Sequence, residues 1–416
     1  MPFVRLACIA RGEAANMPDL AAAVAAMPID DAWFVLNGED ADGTEQAALE
    51  AFEAVDIPCK VFHSKLFEFD FGSARNEMLE LAAESGAWLL LLDPDSPPVG
   101  ALPDGWDDDP SPVRELQLRD RWGASWWMSY LVNSDAILSG ARYVGRAHEF
   151  LALDGATLIR LDSPFIDRRG FGATPERNRW YVKVLREDLQ ADPGNARAAF
   201  YLANTLRDMG EDVEALQVYI TRAAMPGSDE ETFWAIHQAG CCLDRLGNHV
   251  NAMRVLLMAH TFRPSRPEPL CVLAQLANRN GEHLTALAMA QRGLELKPTT
   301  DELFIDGTVT AWGLALEQAV AWWYLGKQAD AYAEFERILA MEGLPDYVIQ
   351  RLRDNLTLQG ITAPPQQGGD LGKMSPSISP APPHATGEPP TTTTPRIVTE
   401  PARRTAAKSA EGLGQM

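Results

Sequence analysis

A repeated pattern in residues 200–340 constrains the fold of this chain more than any other feature. Four stretches share it, and in each a glycine separates two apolar segments with helical periodicity. The glycines are Gly210, Gly247, Gly281 and Gly326, and the first three lie 37 and 34 residues apart. A period of this length predicts stacked helix pairs, because one pair alone cannot bury its apolar face.

Small residues recur at matching places within these stretches. An alanine follows each glycine, and the second and third stretches end in Pro264 and Pro298. The alanines are Ala215, Ala252, Ala286 and Ala331. Small residues let two helices approach closely, glycine ends the first helix in a left-handed conformation, and proline stops the second. The pattern resembles the tetratricopeptide repeat family over residues 176–358, which implies an all-α solenoid that binds a partner. We predict that Trp322 and Trp323 pack inside it.

The first 150 residues follow a different pattern, in which strands alternate with helices. Apolar runs such as "FVRLACIA", "DAWFVLNG" and "AWLLLLDPD" read as strands, and segments such as "FGSARNEMLELAAES" read as helices. This alternation predicts an α/β domain over residues 1–175, with a mainly parallel sheet covered on both faces. Ligands of such sheets bind beyond the carboxyl ends of the strands, where Asp93 and Asp95 follow a run of leucines.

The pair Asp93 and Asp95 predicts a site for a divalent cation. Mg²⁺ and Mn²⁺ prefer carboxylate oxygen and commonly complete their coordination shell with substrate phosphates. A strand-ending turn also favours aspartate and proline for purely structural reasons, so this pair alone leaves both interpretations open.

Several motifs in order connect this pair to a family. The stretch "FDFGSARNEMLELAAESGAWLLLLDPD" resembles the family 2 glycosyltransferases, which have a GT-A (Rossmann-like) fold. The matching residues are Phe71, Ala74, Arg75, Asn76, Gly86, Trp88, Asp93 and Asp95. Downstream, "YVGRAHE" is similar to an element of the bacterial branch in which tetratricopeptide repeats follow the catalytic domain. Its matching residues are Tyr143, Gly145, His148 and Glu149.

The resemblance implies a metal-dependent, inverting transfer of sugar from a nucleotide-sugar to a protein or polymer held by the repeats. It implies Glu149 as general base with His148 beside it, and Asp95 with Asp93 as ligands of Mn²⁺ or Mg²⁺. The implied donor-binding residues are Asn37, Asp42, Arg75, Asn76 and Asp93. Asp120 and Asp135 are weaker candidates for the base.

Two departures from the family pattern keep alternatives open. "LNGEDADGT" places Asn37 and Glu39 where the family has aspartate and glycine, and Ser96, Pro97 and Pro98 follow the aspartate pair where acidic residues are usual. The alternatives are a binding scaffold without catalysis and another nucleotide-dependent transfer on the same sheet. "WGASWWMSYLVN" carries Trp122, Trp126, Trp127 and Tyr130, which we expect to fill a core rather than bind sugar.

The composition disfavours binding to nucleic acid or membranes and predicts the cellular location of the protein. Lysine and arginine number 36 against 58 aspartates and glutamates, a formal charge of −22 that disfavours nucleic acid and anionic membranes. The first residues do not follow the pattern of a signal peptide, so we do not expect export by one. No apolar run is long enough to span a membrane, and the five cysteines form no paired motif. We therefore expect a cytoplasmic protein without disulfides. Residues 359–416, rich in proline, threonine and serine, predict a disordered tail.

Overall fold

Strands and helices alternate in the N-terminal part, as the sequence predicts. A computed structural model describes residues 2–120, 125–153, 155–168 and 174–357. The first four strands are β1 (Val4–Ala10), β2 (Asp31–Leu36), β3 (Cys59–His63) and β4 (Trp88–Leu92). The helices between them are α1 (Met17–Val24), α2 (Thr44–Glu53) and α3 (Phe71–Ala82). These four strands are parallel, in the order β3-β2-β1-β4.

The remainder of the sheet is mixed, so the prediction of a mainly parallel sheet is correct only for its first half. The later elements are β5 (Pro98–Val99), β6 (Val113–Asp120), β7 (Ser125–Asn133), α4 (Ser134–Leu138), β8 (Arg142–Val144), β9 (Phe150–Ala152) and β10 (Leu158–Arg168). The full order is β3-β2-β1-β4-β7-β6-β10-β5, and β8 pairs with β9 separately. Strand β7 runs antiparallel to both of its neighbours, because β6 and β7 follow each other directly and need no crossover helix.

Both faces of the parallel half are buried, as predicted. Along β1, Leu6 and Cys8 pack into the core under α1 and α2, and the alternate residues Ala7 and Ile9 pack with α3. The strand is therefore apolar throughout, which is the usual composition of a strand covered on both sides. The aromatic run of β7 lies in the sheet. Trp126 packs partly against the main core, and Trp122 falls outside the described residues.

Ten helices of the described residues follow the sheet, and eight of them form the predicted hairpins. The helices are α5 (Pro175–Ala191), α6 (Ala196–Asp208), α7 (Asp212–Ala223), α8 (Asp229–Arg245), α9 (His249–Phe262), α10 (Glu268–Arg279), α11 (His283–Leu294), α12 (Leu314–Tyr324), α13 (Gln328–Leu339) and α14 (Asp346–Thr357). A π-helical turn, Val309–Gly313, precedes α12. Trp322 and Trp323 pack against the core formed by α12, α13 and α14, as predicted. Within the described residues, no helix is both long and apolar enough to cross a membrane.

The four repeat glycines connect the two helices of each hairpin. Their φ angles are +80°, +76°, +77° and +83° at Gly210, Gly247, Gly281 and Gly326, which is the left-handed conformation predicted for them. A Cβ added at any of the four meets no atom within 4 Å, so a side chain would not clash there. It is disfavoured because the backbone has positive φ. The turns thus depend on the conformational freedom of glycine.

A segment between α11 and α12, residues 299–306, returns across the earlier helices, and we call it the return segment. Arg263 holds the side chain of Asp301 at 2.5 Å. The buried guanidinium of Arg266 donates to the carbonyl oxygens of Leu303 and Phe304 at 3.0 and 2.9 Å. Because polar groups at both ends of these contacts are buried or half-buried, the return segment is an integral part of the helical repeats.

The return segment also reaches α6, α8 and the sheet. The ring of Phe304 lies 4.9 Å from that of Trp234 and 6.0 Å from that of Phe200. Glu302 forms an ion pair with Arg160 of β10 at 2.7 Å, between residues 142 positions apart. The helical repeats and the sheet are therefore connected by this segment as well as by the covalent chain.

We predict that Gly281→Ala lowers the free energy of unfolding by about 1 kcal/mol, because alanine is strained at positive φ. Gly307→Ala is the matched control, since that glycine also has open space around it but does not have positive φ. Urea unfolding of both variants measures the difference. Equal stability of the two variants would show that the turn does not require glycine.

Candidate functional site

A cleft of about 860 Å³ lies at the carboxyl edge of the parallel strands, where the sequence predicted a ligand site. Residues after β1, β2 and β4 form its floor, the loop before α3 forms one side, and α5 of the helical part forms another. Its charged lining residues are Arg11, Glu13, Glu68, Asp70, Asp93, Asp95, Arg146, Glu176, Arg177, Lys183 and Glu187. Seven of these are acidic and four are basic, so the cleft is negatively charged.

Asp93 and Asp95 both line the cleft, in the turn that follows β4. The carboxylate of Asp93 accepts two hydrogen bonds from Arg75 Nη2, at 2.8 and 3.1 Å. Asp95 accepts one from the hydroxyl of its neighbour Ser96 at 2.9 Å. Among the described residues, a basic side chain therefore pairs with Asp93 but none pairs with Asp95.

Arg75 connects the two motifs that the sequence analysis placed in one site. Its Nε donates to Glu149 Oε1 at 2.6 Å, and its guanidinium lies 5.5 Å from the centre of the Tyr143 ring. Burial opposes the charge on Arg75, but the carboxylates of Asp93 and Glu149 outweigh it and raise the pKa of the guanidinium above its ordinary value. Arg75 therefore stays charged and fixes the positions of both acids.

The element around Gly145 packs directly on the start of α3. The backbone nitrogen of Phe71 donates to the carbonyl of Arg146 at 3.0 Å. A Cβ on Gly72 would lie 2.1 Å from the carbonyl oxygen of Gly145, so only glycine fits there. Asn76 holds the backbone of Tyr143 with two hydrogen bonds, at 2.9 and 2.8 Å. The structure thus gives Asn76, a predicted donor-binding residue, a positioning contact, and Asn76 does not line the cleft.

Asn37 and Asp42, also predicted to bind the donor, have different surroundings. Asn37 lines the cleft and is buried, and its Oδ1 has no hydrogen-bond partner among the described residues. Asp42 lies outside the cleft lining and accepts hydrogen bonds from the Thr44 hydroxyl at 2.6 Å and from the Ala14 nitrogen at 3.0 Å. These bonds hold the pKa of Asp42 below its usual value. Asp42 fixes the loop after β1, and the role of Asn37 in donor binding stays a prediction.

The two predicted catalytic residues lie beside the cleft and do not line it. The Glu149 side chain is 11% exposed and is engaged by Arg75. The His148 ring stacks on Tyr201 at 4.1 Å and packs against Tyr181 at 4.7 Å, between α5 and α6. Burial, with smaller contributions from Arg197 and Arg168, lowers the pKa of His148 to about 4. This histidine is therefore neutral near pH 7, and its role in catalysis stays a prediction.

The weaker candidates for the base are not brought to the cleft by the described part of the chain. Asp135 lies in the first turn of α4, and its carboxylate accepts from the Ser85 hydroxyl at 2.9 Å, away from the cleft lining. The side chain of Asp120 is outside the described residues, as is the predicted tail.

Sequence reasoning missed Glu13, which lines the cleft just after β1. Its carboxylate accepts from Asn16 Nδ2 at 2.6 Å, and its backbone nitrogen donates to the Thr44 hydroxyl at 2.9 Å. Burial raises the pKa of Glu13, and the nearby charges of Asp95 and Asp93 raise it further. The available signal was its position: a charged residue follows a fully apolar parallel strand at the edge where ligands bind.

Three aromatic residues that the sequence analysis also missed as site residues form a wall of the cleft. Phe69, Phe71 and Trp180 all line it and are half-buried. Their ring centres are 4.9 Å apart for Phe69 and Phe71, and 5.8 Å apart for Phe71 and Trp180. Since Trp180 belongs to α5, the cleft is built jointly by the sheet and the helical part.

The oxygen donors of the cleft fit a divalent cation in part. Among the described residues, no group of three or more histidine, cysteine, aspartate or glutamate side chains is arranged to hold a metal ion. A cation that takes phosphate oxygens as further ligands needs only one or two carboxylates from the protein. Asp95 can supply one, and Asp93 can supply another only while it also pairs with Arg75.

Comparison with known proteins finds solved structures that are similar to part of this chain. No protein-family model and no curated protein matches this chain. Among solved structures, MamA is 18% identical to this chain. The match covers 39% of this chain and 88% of the MamA chain, with a TM-score of 0.33. A tetratricopeptide repeat protein from Parabacteroides merdae is 16% identical, covering 44% and 68%, with a TM-score of 0.35. A TPR protein in Thermus thermophilus is 19% identical, covering 44% and 92%, with a TM-score of 0.33.

Because these TM-scores are low, the description of helical repeats rests on the hairpins themselves. The matches named above do not bear on the glycosyltransferase resemblance, which stays a prediction.

We predict that Arg75→Leu lowers the free energy of unfolding by roughly 3 kcal/mol, because it leaves the poorly solvated Glu149 carboxylate without its charged partner. Arg179→Leu is the control, since Arg179 pairs with Glu176 on an exposed surface of α5. Denaturant unfolding of the two variants gives the comparison. A loss no larger than that of the control contradicts the proposed stabilising role of Arg75.

Proposed function

We propose that this protein binds a nucleotide-sugar in the cleft and transfers the sugar to an acceptor on a protein or polymer that the helical repeats hold. One observation carries the proposal: residues from three separate motifs converge at the carboxyl edge of the parallel strands. Asp93 and Asp95 follow β4, Arg75 projects from α3, and Glu149 follows β8. These are the motifs whose order in the sequence resembles family 2 glycosyltransferases.

The chain's own residues supply binding and orientation in this reaction. Arg75 holds Asp93 in place. Asn37 would accept a hydrogen bond from the base or ribose of the donor through its Oδ1, which is buried and has no partner among the described residues. Trp180 and the phenylalanines beside it exclude water from one side of the cleft, which strengthens the electrostatic interactions inside. The acceptor hydroxyl would then attack the anomeric carbon from the face opposite to the departing diphosphate, with inversion.

Asp95, with Asp93, would hold a divalent cation. When bound, such a cation neutralises the charge that develops on a leaving diphosphate.

The general base is one of two carboxylates. The resemblance implies Glu149, and its contact with Arg75 suits a positioning role. Glu13 lines the cleft, and its raised pKa makes it a stronger base than an ordinary glutamate. We propose Glu13 as the base and Glu149 as a residue that acts through Arg75.

A binding scaffold without catalysis is the second candidate function. The contact of Arg75 Nη2 with both carboxylate oxygens of Asp93 favours it, because the guanidinium competes with a metal ion for one of the two carboxylates of the pair. The helical hairpins are common to both candidates, since repeats of this kind bind partners without chemistry of their own.

We predict that Asp95→Asn abolishes Mn²⁺-dependent donor binding, because an amide cannot replace the anionic ligand of a hard cation. Thermal shift of the wild type and the variant with a panel of nucleotide-sugars, with and without Mn²⁺, measures this. Asp135→Asn serves as the control, because Asp135 lies away from the cleft. If the wild type binds no nucleotide-sugar with or without Mn²⁺, the result favours the binding scaffold without catalysis.

We further predict that Glu13→Gln lowers transfer by about 10²- to 10⁴-fold with donor affinity unchanged, as expected for loss of a general base. Glu149→Gln should instead weaken donor binding, because Arg75 loses one of its two anchors. Single-turnover transfer and donor affinity, measured for both variants, separate the roles. The opposite pattern, with Glu149→Gln inactive but fully able to bind donor, assigns the base to Glu149.

A further inference from the structure

Phe67 is a fully exposed aromatic side chain at the rim of the cleft. It belongs to the loop between β3 and α3, whose residues Glu68, Phe69 and Asp70 line the cleft. Hydrogen bonds fix the loop on both sides of it. The nitrogen of Lys65 donates to Glu77 at 2.7 Å, and Asp70 accepts from the nitrogen of Ser73 at 2.7 Å. An apolar ring is thus exposed to solvent two residues before Phe69, the first residue of the aromatic wall.

The cleft beside this ring combines aromatic faces with an excess of carboxylates. Phe69, Phe71 and Trp180 present carbon surface, and acidic side chains outnumber basic ones among the lining residues. The whole chain carries a formal charge of −22. An anionic ligand that brings no divalent cation with it would be repelled here, and a purely apolar one would leave the carboxylates without partners.

A neutral saccharide satisfies both features of the surface. Its ring has an apolar face that packs on aromatic rings, and its hydroxyl groups donate to carboxylates without adding charge. We propose that Phe67, with the wall formed by Phe69, Phe71 and Trp180, binds an uncharged sugar as the acceptor. This inference rests on the proposed function, because it names the chemical class of the group that receives the transferred sugar.

The test measures saccharide binding alone, without any nucleotide-sugar. Isothermal titration of the full chain uses maltohexaose, cellohexaose, chitohexaose and mannohexaose as neutral probes, and hexagalacturonate as the anionic probe. We expect at least one neutral probe to bind, and the anionic probe to bind at least tenfold more weakly. Binding of none of the neutral probes, or equal binding of hexagalacturonate, overturns the inference.

Two variants locate the site. Phe67→Ser should weaken binding of that neutral probe by about fivefold, the order expected for loss of one aromatic contact. Leu284→Ser, at another solvent-exposed apolar residue, on α11, is the control and should leave affinity unchanged. Equal affinity of both variants and the wild type shows that the saccharide binds elsewhere, which contradicts the proposed platform.

The outcome is separable from that of the proposed function. A chain that binds a neutral saccharide through Phe67 but no nucleotide-sugar keeps the saccharide site and loses the transferase proposal. A chain that binds a nucleotide-sugar but transfers to a peptide and binds no saccharide keeps the transferase and loses the saccharide site.

Discussion

The ion pairs of Arg75 with Asp93 and Glu149 hold the candidate site together. The half-buried guanidinium of Arg75, on α3, lies between the two carboxylates. It thereby joins the end of β4 to the element after β8. Without this contact the charges of Arg75 and Glu149 would be left unpaired at poorly solvated positions. The close approach of Gly72 to Gly145 permits this arrangement, because any larger residue would push the two elements apart.

The cleft depends on the helical part as much as on the sheet. Helix α5 contributes Trp180 to one wall, and His148 is enclosed by Tyr181 and Tyr201 of α5 and α6. Since aromatic contacts on this scale are extensive and apolar, the two parts of the chain form a single surface around the site. A partner held by the repeats would therefore lie close to whatever the cleft binds.

Features that depend on local interactions could be predicted from the sequence, and features that depend on contacts between distant residues could not. The turn glycines and the aspartates after β4 were predictable, because turn conformation and strand ends leave local patterns. Strand β7 was missed because its tryptophans do not alternate with clearly polar residues. Neither the contact between Arg75 and Glu149, 74 residues apart, nor the wall shared by Phe69 and Trp180 has a local signal. Both arise only when the sheet and helices pack.

The return segment limits how this protein can change in length. Stacked repeats commonly gain or lose whole hairpins, because each contacts only its neighbours. Here residues after α11 reach back to Trp234 on α8 and to Arg160 in the sheet. A hairpin duplicated between α9 and α10 would carry the return segment one repeat further away and break these contacts. Hairpins added beyond the return segment would leave these contacts in place, so growth of the array is favoured on that side.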